Sequence, residues 1–150
     1  MSAGDRTVTA EIRIEATPER VFPFLTEPER IVRWKGVEAR VEPIPGGEYR
    51  VQVTPRALAV GEYVVVDPPR RVVFTWGWQD DEQLPPGSST VQIELVPDGD
   101  GTIVRLTHSG LPEGADVAQL DGWQHFLPRL ATVAAGGDPG PDPWATSTEM

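Results

Sequence analysis

Residues 67–78 read Asp-Pro-Pro-Arg-Arg-Val-Val-Phe-Thr-Trp-Gly-Trp, and this stretch decides the fold. Two prolines end one strand, and a new strand starts directly after them. Side chains alternate across a strand. Four large apolar residues therefore share one face, namely Val72, Phe74, Trp76 and Trp78. A sheet face this aromatic must be covered by a helix or must line a cavity, and the choice between the two decides the function.

The composition narrows the class of protein. The sequence has 150 residues, a net charge of −10 and no cysteine. One domain is the simplest expectation at this length. The acidic balance argues against binding to nucleic acid or to an anionic membrane. No secretory leader and no long apolar run are visible, so we expect a cytoplasmic protein without a membrane span.

Hydrophobic periodicity predicts the order of elements along the chain. Alternating apolar residues indicate about six or seven strands, at roughly 7–15, 37–44, 49–53, 58–66, 72–78, 91–95 and 103–109. Two short helices follow the first strand, with Thr17-Pro18 and Glu27-Pro28 at their starts. Gly61 marks a bulge or a close approach within its strand.

The last element is an amphipathic helix. Apolar residues spaced three or four apart form one stripe, made of Val117, Leu120, Trp123, Leu127, Leu130 and Val133. Pro128 should kink this helix or leave the carbonyl near Gln124 unpaired. Gly136-Gly137 ends the helix, and the tail at 138–150 is expected to be disordered. Residues 1–137 would then form the single domain.

Short connections between the strands predict an antiparallel sheet, and one long helix must cover one face of it. The fold class expected is therefore α+β, of the helix-grip kind. A curved antiparallel sheet wraps on the C-terminal helix in this arrangement.

This order of motifs resembles the START-related superfamily, also called SRPBCC or Bet-v-1-like. The matching motifs are Glu-Ala-Thr-Pro-Glu-Arg-Val-Phe at 15–22, Pro-Glu-Arg-Ile-Val-Arg-Trp at 28–34, Gly-Gly-Glu-Tyr-Arg at 46–50, the stretch at 67–76, Leu-Thr-His at 106–108 and Gly-Trp at 122–123. Within the superfamily, the chain looks most like the branch named for the activator of the heat-shock-protein-90 ATPase. The resemblance covers about residues 7–135 and implies a cavity between the sheet and the last helix.

The resemblance leaves three functions open, because members of this superfamily bind apolar molecules, cyclise polyketides or act as co-chaperones. The leading hypothesis is a binding protein for a small hydrophobic or aromatic molecule. Its expected lining is Phe22, Trp34, Tyr49, Phe74, Trp76, His108, Trp123 and Leu127. The alternatives are a polyketide cyclase or hydrolase and a co-chaperone-like interaction domain. Pairing of two copies into a homodimer is also possible for this fold.

His108 is the candidate catalytic residue of the enzyme hypothesis. It shares strand parity with Leu106, so its imidazole is predicted to face the covered side, where it can serve as an acid or base. The competing interpretation, which we favour, is a structural histidine with satisfied hydrogen bonds. Glu62 would pair with His108 only if a bulge at Gly61 turned it inward.

The acidic loop residues Asp80, Asp81 and Glu82 are either solvated or part of a mobile lid. No cofactor or metal is expected, since His108 and His125 lack the spacing of metal ligands and no phosphate-binding loop is present.

Overall fold

Seven antiparallel strands and five helices make up residues 6–146, the part of the chain that the computed structural model describes. In chain order they are β1 (Arg6–Ile14), α1 (Pro18–Val21), α2 (Pro23–Thr26), α3 (Pro28–Ile31), β2 (Glu38–Val41), β3 (Glu48–Thr54), β4 (Ala57–Asp67), β5 (Arg71–Trp76), β6 (Ser89–Asp98), β7 (Gly101–Leu111), α4 (Ala115–Ala134) and α5 (Pro143–Thr146). The sheet order is β1-β7-β6-β5-β4-β3-β2. The α+β helix-grip fold is confirmed.

The segment between β1 and β2 contains three short helices where two were predicted. Pro23 has no backbone N–H, so it begins a new helix, α2, instead of continuing α1. Pro28 likewise begins α3. The apolar residues of these helices join the core.

The aromatic face of β5 lies in the core as predicted. Val72, Phe74 and Trp76 are fully buried, and α4 lies on the same side of the sheet. The predicted stripe on α4 is wrong at its first member, because Val117 is 72% exposed. Gln119 is buried in its place. Two residues along a helix differ by about 200° around its axis, so the two side chains cannot share a face.

Pro128 lies within α4 on its exposed side. Pro128 has no N–H to donate to the carbonyl of Gln124. Gln124 is exposed on the same side of the helix. Both residues therefore lie away from the core, and the buried stripe of α4 is uninterrupted.

The chain after α4 folds back on that helix. Arg129 donates to the carbonyls of Pro139 and Gly140, at 3.3 and 3.0 Å. The buried carboxylate of Asp142 lies 2.8 Å from His125. The sequence predicts a disordered tail over 138–150, whereas residues 138–146 hold these specific contacts; residues 147–150 lie outside the described part. The assignment of 1–137 to one domain stays a prediction.

Within residues 6–146, no helix has the length and apolar character needed to cross a membrane.

Gly61 confirms the predicted close approach. A Cβ atom at this position would lie 1.9 Å from the carbonyl oxygen of Thr75 in β5. Only hydrogen fits between these paired strands.

We therefore expect Gly61→Ala to lower the free energy of unfolding by about 2 kcal/mol or more, since a backbone atom must move. Gly122→Ala is the matched control. Its Cβ would meet nothing within 4 Å, and in a helix the change should add about 0.5–1 kcal/mol. Urea denaturation of the three proteins measures both values, and equal stabilities would contradict the prediction.

Candidate functional site

A cavity of about 800 Å³ opens beside the aromatic face of β5. Its walls come from the β3–β4 hairpin, the loop after β5, the first half of α4 and the C-terminal segment. The aromatic residues of its lining are Trp76, Trp78, Trp123, Phe126 and Trp144. Polar residues at 79–83 and Arg56 surround its mouth, and Lys35 lies at its inner end.

Two of the eight residues predicted to line a ligand site, Trp76 and Trp123, line this cavity. The other six are buried in the core around it: Phe22, Trp34, Tyr49, Phe74, His108 and Leu127. Their contacts are with protein groups. Trp34, for example, donates its indole N–H to the carbonyl of Phe24 at 2.9 Å. Trp78 lies half-buried at the entrance, packed edge-on against Trp76 with ring centroids 5.3 Å apart.

His108 is fully buried and hydrogen-bonded at both ring nitrogens. The indole N–H of Trp123 donates to Nδ1 at 3.0 Å. Nε2 lies 2.8 Å from the hydroxyl of Ser89, which donates to the carbonyl of Trp76 at 2.7 Å. An indole nitrogen can only donate, so Nδ1 carries no proton and Nε2–H donates to Ser89. The imidazole is therefore neutral.

The surroundings of His108 keep it in that neutral form. Burial lowers its pKa from 6.5 to about 3, and the nearby cationic Lys35 adds to the effect.

Glu62 does not supply a carboxylate to this histidine, because Glu62 is exposed on the opposite face of the sheet. The proposed acid–base pair of Glu62 and His108 is therefore wrong. The strand irregularity lies between Tyr63 and Val65, one residue beyond Glu62.

Lys35 is the functional candidate that sequence reasoning missed. Its side chain is 1% exposed, and Nζ donates to the hydroxyl of Tyr49 at 2.7 Å. Five aromatic rings surround Nζ, with centroids 4.7–5.8 Å away: Trp34, Tyr49, Phe74, Trp76 and Trp123. The π faces of these rings attract a cation. No carboxylate of residues 6–146 forms an ion pair with it.

Burial without a counter-ion lowers the pKa of Lys35 from 10.5 to about 7. Burial also raises the pKa of its partner Tyr49, so the phenol stays neutral. The site thus contains an amine that gains or loses a proton near neutral pH.

Two sequence signals could have identified Lys35. It is the only lysine of the 150-residue sequence, in which the 13 basic side chains are otherwise arginines. It also follows Ile31 and Trp34 at helical spacing, so all three point to one face. Ile31 and Trp34 are 1% and 2% exposed, and Lys35 is buried with them.

The C-terminal segment carries Trp144 to the mouth of the cavity. The Trp144 ring stacks on His125, with centroids 3.9 Å apart and an interplanar angle of 8°. It also meets Phe126 edge-on at 5.5 Å. The backbone N–H of Trp144 donates to Asp142 at 2.9 Å, which fixes the turn before it.

In the part of the chain that the structure describes, no three side chains of His, Asp or Glu come together as a set of metal ligands.

The curved sheet, the gripping helix and the cavity between them define a helix-grip protein of the SRPBCC, or Bet v1-like, class. The family model of the Activator of Hsp90 ATPase homolog 1-like proteins matches residues 15–135. The chain belongs to this family. None of the curated proteins compared with it gives a significant match.

Solved structures agree with this placement. The AHSA1-like protein RHE_CH02687 from Rhizobium etli is 45% identical, with 99% of this chain and 95% of that one covered and a TM-score of 0.72. CalU16 from Micromonospora echinospora is 28% identical, covering 93% and 85%, with a TM-score of 0.74. PFC0360w, an HSP90 activator from Plasmodium falciparum, is 22% identical over 85% and 94%, with a TM-score of 0.68, and shares the fold.

The titration of Lys35 predicts how stability depends on pH. In the folded protein the amine loses its proton near pH 7, whereas the unfolded chain holds it until about pH 10.5. The unfolded state therefore binds more protons between these values, and the free energy of unfolding rises with pH, by at most about 1.4 kcal/mol per pH unit. In Lys35→Met this rise should disappear. Urea denaturation from pH 7 to 9.5 measures both slopes, and parallel curves would refute the assignment.

The stacking of Trp144 on His125 predicts a second effect. Trp144→Ala removes a ring pair worth about 0.5–1.5 kcal/mol, so backbone amides in residues 138–146 should exchange with solvent roughly tenfold faster. Trp144→Phe retains a stacking ring and should restore most of the protection. Hydrogen exchange followed by mass spectrometry gives the comparison, and identical exchange in all three proteins would show that the stack does not hold the segment.

Proposed function

We propose that this protein binds a small hydrophobic or aromatic molecule in the cavity between the sheet and α4. The observation that carries the proposal is the cavity of about 800 Å³, lined by four tryptophan rings and Phe126. Sites for small molecules are typically about 300–1,000 Å³, apolar, and equipped with a few polar groups. This cavity meets that description at each point.

The rings of the wall are held in fixed positions that suit a flat aromatic guest. Trp123 is fixed by its hydrogen bond to His108 at 3.0 Å. Trp76 meets Trp123 at 5.5 Å with an interplanar angle of 50°, and it meets Trp78 at 72°. Rings at such angles offer both faces and edges, the two arrangements that aromatic pairs prefer. Because the walls are already arranged, a ligand loses little free energy to ordering them.

The hydrogen bonds of His108 weigh against the enzyme alternative. A catalytic acid or base must reach the substrate, and both ring nitrogens of His108 are already hydrogen-bonded to protein groups. The cyclase or hydrolase activity stays a prediction, as does the co-chaperone role that the family name suggests. The homodimer and the cytoplasmic location also stay predictions.

A neutral aromatic probe, 2-methoxynaphthalene, tests the binding proposal. Four of the five tryptophans line the cavity, whereas Trp34 is hydrogen-bonded in the core beside it. In ¹H–¹⁵N spectra, titration should therefore shift the indole signals of Trp76, Trp78, Trp123 and Trp144 saturably. The signal of Trp34 should move least. Absence of any saturable shift would overturn the proposal.

A pair of variants on α4 supplies the control. Ala118 lines the cavity, whereas its neighbour Val117 is 72% exposed and does not. Ala118→Trp should fill the cavity and weaken probe binding about tenfold or more, because the guest loses its apolar contacts. Val117→Trp adds the same side chain to the outer face and should leave the affinity unchanged. Equal affinities for both variants would place the probe elsewhere.

A further inference from the structure

We propose that the ligand carries an acidic oxygen, as a carboxylate or phenolate, and that Lys35 and the indole N–H of Trp76 bind this oxygen at the inner end of the cavity. This inference rests on the proposed binding function and names the chemical class of the ligand. The aromatic body of such a molecule would lie among the tryptophans nearer the mouth.

The first support is a positive charge without a counter-ion. Lys35 is 1% exposed, and its hydrogen bond in the described structure goes to a neutral phenol, that of Tyr49. A buried ammonium without an anion is costly, and aromatic faces compensate only part of that cost. An anionic oxygen entering the cavity would complete the ion pair. The remaining ammonium hydrogens are available to it, since an ammonium has three donors.

The second support is an indole N–H without an acceptor. Trp76 is 2% exposed and lines the cavity, and its Nε1 has no hydrogen-bond partner within residues 6–146. A buried donor left unpaired costs about 1–3 kcal/mol, so native structures rarely retain one without a purpose. Indole nitrogen only donates, so the missing partner must be an acceptor. An anionic oxygen is the strongest acceptor available.

The two donor groups, the Lys35 ammonium and the Trp76 indole, lie close together. Nζ of Lys35 is 4.9 Å from the centroid of the Trp76 ring. Both residues line the same cavity. A carboxylate has two oxygens and about four acceptor positions, so one group can engage both donors.

The remaining charges of the site do not compete for Lys35. His108 on β7 is neutral, and Tyr49 on β3 is an un-ionised phenol. Arg56 and the carboxylates of Asp80, Asp81 and Glu82 lie at the mouth. Those carboxylates are on the solvent-exposed loop after β5 and are screened by water and salt. The inner end of the cavity is therefore positive whenever Lys35 is protonated, although the chain as a whole is acidic.

Two matched probes test the inference in the whole protein. 2-Naphthoate and 2-methoxynaphthalene share a ring system and differ in one substituent, an anionic carboxylate against a neutral ether. Isothermal titration calorimetry at pH 7 should show about tenfold or greater preference for 2-naphthoate, because charged hydrogen bonds contribute about 1.5–3 kcal/mol. Equal affinities would overturn the inference and leave the binding proposal intact. Failure of both probes to bind would overturn both.

The pH dependence identifies the group responsible. The pKa of Lys35 is lowered to about 7 in the free protein, so binding of an anion above pH 7 should require uptake of a proton. The affinity for 2-naphthoate should fall by up to about tenfold per pH unit between pH 7 and 9. The affinity for 2-methoxynaphthalene should stay constant over the same range. A flat profile for both probes would contradict the assignment to Lys35.

Variants separate Lys35 from the arginines. In Lys35→Met the preference for 2-naphthoate should fall to less than about threefold, and in Trp76→Phe it should fall in part. Arg33→Met removes an exposed cation two residues away and should retain the full preference. Loss of the preference in Arg56→Met with retention in Lys35→Met would place the anion at the mouth and overturn the inference. Should Lys35→Met fail to fold, the wild-type preference and its pH profile still decide.

Discussion

A chain of three hydrogen bonds joins the long helix to the sheet, and the rest of the structure depends on it. It runs from Trp123 on α4 to His108 on β7, then to Ser89 on β6, and ends at the carbonyl of Trp76 on β5. The direction of every donor in this chain requires a neutral imidazole. The helix is therefore fixed against three adjacent strands at one place, beside the cavity. A protonated His108 would place two donors face to face and break the connection.

Two basic side chains are buried in the core of residues 6–146, and their contacts differ. His108 has a partner for each of its nitrogens, and burial holds it neutral, as is expected of a structural group. Lys35 donates a hydrogen bond to one neutral partner, the Tyr49 hydroxyl, and aromatic rings surround its amine. Satisfied polar groups rigidify a core, whereas unsatisfied ones mark places where another molecule can bind. The contacts of His108 agree with the structural interpretation favoured from the sequence, and Lys35 is the residue that we propose for ligand binding.

Strand and helix patterns in the sequence were sufficient for the fold. The alternation at Val72, Phe74 and Trp76 correctly predicted the buried face of β5. A register shift of one residue would expose all three side chains, so the pattern allows one assignment. The candidate site was predicted less completely. Trp76 and Trp123 were correctly predicted to line the cavity because large aromatic residues at buried positions indicate a core or a cavity. Lys35 was missed because a lysine is normally exposed, and only tertiary packing shows five rings around its amine. The prediction that Val117 belongs to the buried stripe of α4 was wrong because periodicity alone does not determine where such a stripe begins.

The single lysine also gives this protein an unusual chemical property. Reagents that acylate amines react with the unprotonated form, and the other basic side chains of this sequence are arginines, which do not react in the same way. Within this sequence, Lys35 is the one side-chain amine, and it lines the aromatic cavity. Acylation of the side chain would therefore report directly on whether that space is open or filled. Lys35 is therefore the one side-chain position that such a reagent can label, and it lies in the cavity of the proposed binding site.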